Sequence, residues 1–436
     1  MGAFLASARF GLIDPDQTSS VRFLIFAQMP DDPIKSPPAL RRRLGLPLLV
    51  LYGTGITIGA GIYVLVGAVA GHAGVYAPWS FVLAAVVMAL TVASYAEMAT
   101  RYPVSAGEAA YVRAAFNLRF LSTSVGLLTI MTGVVASAAV TLGGTGYVRQ
   151  FIDLPPTLIA GTIIVLLGAV AAWGILESVV LASLFTLIEA GGLILIIAAA
   201  IHSNVPFMPT LLSAPPLDVA KFSGIAFASL LAFFAFIGFE DLANVVEEAK
   251  VPHRDIPRAM VLTLLITSVL YILVVAIAVS AVPPGQLAAS PAPLSLVFRT
   301  VAGVNPATFN AIAVVATLNT ILAQMTMAAR VVYGMARQGD LPEIAGRVHA
   351  GTGTPLIATG LVVVVVVILA LAFPLERLAE GTSIATLATF ALVNLSLLRI
   401  RLRKVHSSAP HVRVPLWVPA LGFVTCLVMI CSALLA

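Results

Sequence analysis

The stretch GTGITIGAGIYVLVG occupies residues 53–67, inside a long apolar segment, and carries five glycines. Glycine in a helix interior costs about 1 kcal/mol relative to alanine. A helix that crosses a membrane must also satisfy its backbone groups internally. Two interpretations are open for these glycines. They allow close packing against neighbouring helices, or they mark a break in the helix at Gly59, Ala60 and Gly61, near the middle of the span.

The composition of the chain is that of an all-α integral membrane protein. Of its 436 residues, 60% are hydrophobic and only 10% are charged, whereas a soluble domain carries about 25% charged residues. A bilayer core needs about 20 apolar residues per helix. On this measure the sequence predicts about 11 transmembrane helices, at residues 46–69, 79–99, 121–147, 157–173, 179–201, 222–246, 259–282, 307–327, 356–373, 383–398 and 415–435.

The basic residues predict which side each loop faces. With the N-terminus in the cytoplasm, 20 of the 24 lysines and arginines fall in cytoplasmic segments, and the exceptions are Arg149, Lys221, Arg299 and Arg377. The positive-inside rule favours this orientation. An odd number of spans then places the C-terminus outside. We expect a multi-pass protein of the cell membrane, with residues 1–43 as a disordered cytoplasmic tail in which Met29 offers an alternative start to Met1.

A break at Gly59–Gly61 would have a chemical consequence. The second half-helix would begin at Gly61, and its unpaired amides and positive dipole end would point into the membrane interior. Such a helix end suits an anion, for example a carboxylate.

The sixth span repeats the pattern with opposite polarity. The segment LLAFFAFIGFEDLANVVEEAK contains Gly238 and then Glu240 and Asp241. If the first half of this helix ends near Gly238, its last carbonyls form a negative end that suits an ammonium group. Carboxylate and ammonium on one small molecule describe an amino acid. Spans one and six would correspond in a repeat of five helices inverted against five.

Four stretches carry a family resemblance: IGAGIYVLVG, AEMATRYPVSAGEAAYV, FFAFIGFEDLANVVEEAKVPHRDIPRAM and YGMARQGDLP. They resemble, in this order, conserved segments of the amino acid–polyamine–organocation (APC) permeases. Within this superfamily the chain most resembles the cationic amino acid transporter-like bacterial members. The resemblance implies the 5+5 inverted-repeat, leucine transporter-like fold with discontinuous helices 1 and 6. Residues 44–202 would form the first five-helix repeat, residues 203–400 the second, and residues 401–436 a cytoplasmic loop and a peripheral eleventh helix.

The resemblance also implies where the substrate binds. It places the carboxylate at the first-helix glycine loop and the amine on carbonyls of helices one and six, with Phe234 as an aromatic gate. The residues that face the substrate side chain are expected on spans three, six, eight and ten. The predicted substrate-binding residues are Thr57, Gly59, Ala60, Gly61, Phe234, Ala235, Ile237 and Gly238.

Two deep acids are candidates for ion coupling. Proton-coupled relatives often carry a lysine at the position of Glu189, in the fifth span, so this chain departs from the family there. Desolvation favours the neutral form of a carboxyl group, and Glu189 could carry a proton, tie helices together as a neutral acid, or bind sodium. Glu240 is either a second proton-coupling group or a charge at the start of the second half of helix six.

The sequence therefore predicts a secondary active transporter of an amino acid, working by alternating access and coupled to protons, with sodium the less favoured ion. The alternatives are sodium-coupled or exchange transport of another small amine or carboxylate, and a transporter-like sensor. Deep acids are isolated and no nucleophile, phosphate or metal motif is present, so we expect no enzyme. The partners expected are the amino acid, the proton and the lipid bilayer. No cofactor, metal or nucleic acid is predicted, and the oligomeric state is not defined by the sequence.

Overall fold

The computed structural model describes residue 42 and residues 44–103, 107–173, 179–215, 219–349, 351–405, 407 and 410–435. The predicted tail, residues 1–43, lies outside this part of the chain apart from Arg42. Within the described residues the chain is all-helical, with one isolated bridge between Leu44 and Ala249. Its helices are α1 Leu46–Ile58, α2 Gly61–Ala73, α3 Ala77–Arg101, α4 Gly107–Phe116, α5 Arg119–Val148, α6 Pro156–Trp173, α7 Val179–His202, α8 Met208–Leu212, α9 Val219–Phe234, α10 Asp241–Asn244, α11 Pro252–Ala281, α12 Pro284–Ala289, α13 Pro293–Ala302, α14 Ala307–Arg337, α15 Leu356–Ala372, α16 Leu375–Leu402 and α17 Trp417–Leu435.

Seven helical stretches of the described chain are long and apolar enough to cross a membrane. Several predicted spans fall below that length, and the first is an example. Its two halves, α1 and α2, have 13 residues each. At a rise of 1.5 Å per residue one half is about 20 Å long, shorter than the bilayer core of about 30 Å. Each predicted span contains a helix or a pair of helices, and the number eleven stays a prediction.

Two long helices pack against each other. Helix α5 has 30 residues and α14 has 31. Small side chains lie where they meet, because Gly133 faces Ala328 and Gly144 faces Thr317. Small residues let helix backbones approach closely in membranes. The pair contacts the interrupted first span at two points, where Gly143 faces Val64 and Thr320 faces Gly59.

The predicted cytoplasmic segments lie together at one end of the helices. Glu97, which is fully buried, accepts hydrogen bonds from Arg101 and Arg401, at 2.9 and 3.0 Å, and from the Val414 amide at 2.8 Å. The same end joins other segments through the pairs Leu44–Lys250, Ala115–Arg399 and Arg119–Asp340. The grouping of loops expected from the alternating topology is thus present in the structure. Which side of the membrane this end faces stays a prediction.

Candidate functional site

The first helix is interrupted where its glycines predict. Helix α1 ends at Ile58, Gly59 has φ +32°, and α2 begins at Gly61. The Gly59 amide donates to the Gly55 carbonyl at 3.0 Å, so it is not available to bind a ligand. The next amides, including those of Gly61 and Ile62, belong to the first turn of α2, where a helix offers no acceptor. These amides form the positive end of α2.

The sixth span is also interrupted, but not at the predicted residue. Helix α9 ends at Phe234 and α10 begins at Asp241. The sequence placed the end near Gly238, four residues later. The amides of Ala235 and Phe236 bond to carbonyls three residues back, at 3.1 and 3.0 Å, which is a tightened last turn rather than α-helix. Gly238, with φ +129°, marks the bend inside the connection and not the helix end.

The two interruptions touch each other at two points. A Cβ added at Gly61 would lie 2.6 Å from the Cα of Ala235, and one added at Gly238 would lie 2.9 Å from the carbonyl carbon of Ile56. Each break therefore presents a glycine to the backbone of the other break. The reciprocal contacts explain why side chains are missing at these two positions. The glycines of residues 53–67 combine both interpretations, because Gly53 packs closely on Leu242.

Tyrosine hydroxyl groups hold the broken helix ends in place. The hydroxyl of Tyr271 lies 2.8 Å from the carbonyl of Thr57 and 2.9 Å from that of Ala235, so it bridges the two negative ends. Its single proton can be donated fully to only one of them at a time. The hydroxyl of Tyr63 donates to the backbone carbonyl of Glu189 at 2.6 Å. Sequence reasoning missed these roles of the two tyrosines, since their partners lie 36, 126 and 214 positions away along the chain.

A small cavity of about 20 Å³ lies between the breaks. Six of the eight predicted substrate residues line it, and Ala235 and Gly238 lie instead at the contacts between the breaks. Spans three, six and eight contribute side chains, as expected, whereas the expected contribution of span ten is not among the described lining residues. The lining residues are Ile56, Thr57, Gly59, Ala60, Gly61, Ala136, Val140, Phe234, Ile237, Thr320 and Gln324.

Glu189 lies on α7, fully buried, next to the cavity but not in its lining. The side-chain amide of Asn319 donates to its carboxyl group at 3.0 Å. The next residue of α14, Thr320, lines the cavity beside Gly59. The partner of Glu189 is therefore the residue just before Thr320, which contacts the first break. Asn319 was not identified from the sequence, because nothing in a single sequence pairs residues 130 positions apart.

Glu240 lies at the second break, as the last residue before α10. Its carboxyl group accepts a hydrogen bond from the Gly238 amide at 2.8 Å. This geometry fits the interpretation of Glu240 as a charge at the start of the second half-helix. Nearby, Glu108 of α4 accepts a hydrogen bond from the Tyr95 hydroxyl at 3.1 Å. Burial raises the pKa of the Glu108 carboxyl group above its ordinary value, against the opposing effect of hydrogen bonds from its own backbone and from Tyr95.

Two interrupted apolar helices that meet around a buried cavity are typical of membrane transporters, which bind their substrates at such breaks. The family model for amino acid permeases matches residues 44–436, and the chain belongs to this family. The predicted membership of the APC superfamily is confirmed. The chain is thus a multi-pass membrane transporter rather than an enzyme, and its family supports amino acid transport.

The chain is similar to transporters whose names give different cargoes. The chain is 31% identical over 427 residues to the branched-chain amino acid permease BcaP of Bacillus subtilis, covering 90% of this chain and 88% of the relative. It is 29% identical over 390 residues to cationic amino acid transporter 3, mitochondrial, of Arabidopsis thaliana, covering 83% and 63%. It is 28% identical over 410 residues to the methylthioribose transporter of Bacillus subtilis, covering 87% and 85%. The side chain of the cargo must therefore be argued from the site.

Proposed function

We propose that the protein is a secondary active transporter that moves an amino acid by alternating access, in symport with protons. The observation that carries this proposal is the meeting of two helix breaks of opposite polarity around one buried cavity. A positive helix end and a negative helix end, placed side by side, complement a zwitterion. Membership of the amino acid permease family supports the same cargo class.

The substrate carboxylate would bind at the start of α2. The first-turn amides after Ala60 point away from any intrahelical acceptor, and Gly59 holds the turn open with its positive φ. The role proposed for Gly59 is conformational, because its own amide is bonded to Gly55. Thr57, whose buried hydroxyl oxygen has no hydrogen-bond partner, would complete the carboxylate site.

The substrate ammonium would bind to carbonyl groups at the ends of α1 and α9. The carbonyls of Thr57 and Ala235 share one donor, the Tyr271 hydroxyl, so they retain acceptor capacity. Phe234, 6% exposed and in the lining of the cavity, would cover the substrate as a gate. N-acetylated and decarboxylated analogues each lack one charge and should compete poorly with the amino acid. Efficient competition by either would leave only one break in contact with the ligand.

Glu189 is the proposed proton carrier. Its carboxyl group is buried and bonded to the neutral amide of Asn319, and an amide tolerates both protonation states of a carboxyl group because it can donate or accept. Opening of the site to water on one side would favour loss of the proton. Asn319, which bonds to Glu189, directly precedes Thr320 of the cavity lining. This neighbouring pair would link loss of the proton to occupancy of the cavity.

Uptake into proteoliposomes tests the coupling. We expect concentrative uptake under an inward proton gradient without sodium. Glu189→Gln keeps the size and hydrogen bonding of the neutral acid, so substrate binding should persist while concentrative uptake is lost. Glu343→Gln, a change of the same type at an exposed position, is the matched control. Full concentrative uptake by Glu189→Gln would make Glu189 structural, and a requirement for sodium with indifference to pH would make it an ion ligand.

The wider architecture is part of the proposal. We propose the 5+5 inverted repeat with eleven spans, with repeats at residues 44–202 and 203–400 and a peripheral helix after residue 401. The reciprocal contacts of the two breaks and the matching lengths of α5 and α14 support it. The basic end of the helices would face the cytoplasm, which leaves the C-terminus outside in a cell membrane.

A further inference from the structure

Beyond the two helix breaks, the cavity walls are uncharged. Ala136 and Val140 of α5 form an apolar wall together with Ile237 of the second break, and Thr320 and Gln324 of α14 add polar groups. The described residues of the lining include no Asp, Glu, Lys, Arg or His. A buried charge without a partner of opposite sign is costly to desolvate. A lysine-like or arginine-like cargo would bury its side-chain charge here with no carboxylate in the wall beside it.

Gln324 supplies a polar atom that the protein leaves without a partner. The residue is 9% exposed, and its side-chain oxygen accepts no hydrogen bond. Thr320, one helical turn earlier, already donates its hydroxyl proton to the Ala316 carbonyl at 2.9 Å. A buried acceptor without a donor is unfavourable, and most buried polar atoms have partners. A ligand that brings a hydrogen-bond donor to this wall would satisfy Gln324.

The cavity is nearly closed in this structure. Its volume of about 20 Å³ is far below the roughly 300 to 1,000 Å³ usual for ligand pockets, so the surrounding helices must move apart before a substrate can enter. The chemistry of the lining, rather than its present size, therefore limits the ligand.

We infer that the cargo is an uncharged amino acid whose side chain carries a hydrogen-bond donor, and that Gln324 accepts this bond. The inference rests on the proposed function, because it assumes that the two breaks hold the carboxylate and ammonium groups. Gln324 thereby distinguishes a hydroxyl from a methyl group in the same position.

L-threonine and L-valine form a matched pair for the test, because they differ by a hydroxyl in place of a methyl group. Each amino acid is titrated against the purified protein, and the dissociation constant is taken from the rise in melting temperature, since a ligand of the native state stabilises it. A neutral hydrogen bond contributes about 0.5 to 1.5 kcal/mol, so threonine should bind about two- to tenfold more tightly than valine. L-lysine and L-arginine should give no shift at the same concentrations.

Gln324→Met keeps the length of the side chain and removes the acceptor. We expect it to abolish the preference for threonine over valine, whereas Gln286→Met, the same change at an exposed position, should leave the preference intact. The comparison of threonine with valine on the unaltered protein holds even if Gln324→Met does not fold. Equal or tighter binding of valine, or of lysine or arginine, by the unaltered protein would overturn the inference while amino acid transport stands. If no α-amino acid shifts the melting temperature, the proposed function itself fails.

Discussion

Replacing Gly61 by alanine should push the two helix breaks apart where they touch. The added Cβ would lie 2.6 Å from the Cα of Ala235, while ordinary contact begins at 3.4 Å, so the breaks must move apart by about 0.8 Å. Overpacking of this kind typically costs about 1 to 3 kcal/mol. The same displacement moves the amides of α2 relative to the carbonyls of α9. Since the two sets of groups are proposed to bind opposite ends of one small molecule, both cannot keep their hydrogen bonds.

Hydrogen bonds to charged groups contribute about 1.5 to 3 kcal/mol each, and losing one should weaken substrate binding about ten- to hundredfold. The assay is the dissociation constant of a labelled amino acid that binds the unaltered protein, together with the melting temperature of the same preparation. Gly360→Ala is the control, because Gly360 lies on α15 with nothing within 4 Å of an added Cβ. An affinity for Gly61→Ala equal to that of the unaltered protein would refute the reasoning, since it would show that the ligand does not span the two breaks.

Two further predictions concern hydroxyl and carboxyl groups around the breaks. Tyr271→Phe removes the donor shared by the Thr57 and Ala235 carbonyls, so the free energy of unfolding should fall by about 1 to 3 kcal/mol. Substrate affinity should persist, because the substrate ammonium replaces the lost donor. A loss of affinity at an unchanged melting temperature would contradict this prediction. Glu108 has a raised pKa in the folded state, so the folded protein binds more protons than the unfolded chain and its stability falls as the pH rises from about 4.5 through that raised pKa. Glu108→Gln should flatten this fall in melting temperatures measured across the window, and an unchanged slope would argue against it.

The first break could be predicted from the sequence because its signal is local. Glycine is expensive in a helix interior and conspicuous in an apolar span, and Gly59 and Gly61 lie at the observed interruption. The second break was placed four residues too late, because Gly238 was interpreted as the helix end. The structure shows that Gly238 is needed where the chain bends against Ile56, after the helix has already tightened and ended at Phe234.

The groups that surround the breaks could not be predicted in the same way. Tyr271 reaches Thr57 across 214 positions, and Asn319 reaches Glu189 across 130. In the sequence, nothing distinguishes Gln324 from the other polar residues of a long helix. Only the packing of α14 against the first break makes it part of the cavity wall. Tertiary contacts of this kind follow from how helices pack, which a single sequence does not encode locally.

The last prediction separates the two interpretations of Glu240. Its carboxyl group accepts a hydrogen bond from the Gly238 amide at 2.8 Å, and Gly238 sits in a bend, at φ +129°, that most residues avoid. A glutamine side chain has a carbonyl oxygen that can accept the same bond, whereas alanine cannot. If Glu240 serves only to hold this bend, Glu240→Gln should keep proton-driven uptake near that of the unaltered protein, and Glu240→Ala should lose stability by about 1 to 3 kcal/mol. If Glu240 carries the coupled proton, Glu240→Gln should instead retain binding and lose concentrative uptake in proteoliposomes. Because both substitutions remove the charge and only one removes the acceptor, a loss of uptake in Glu240→Gln at full stability would assign the coupling role to Glu240.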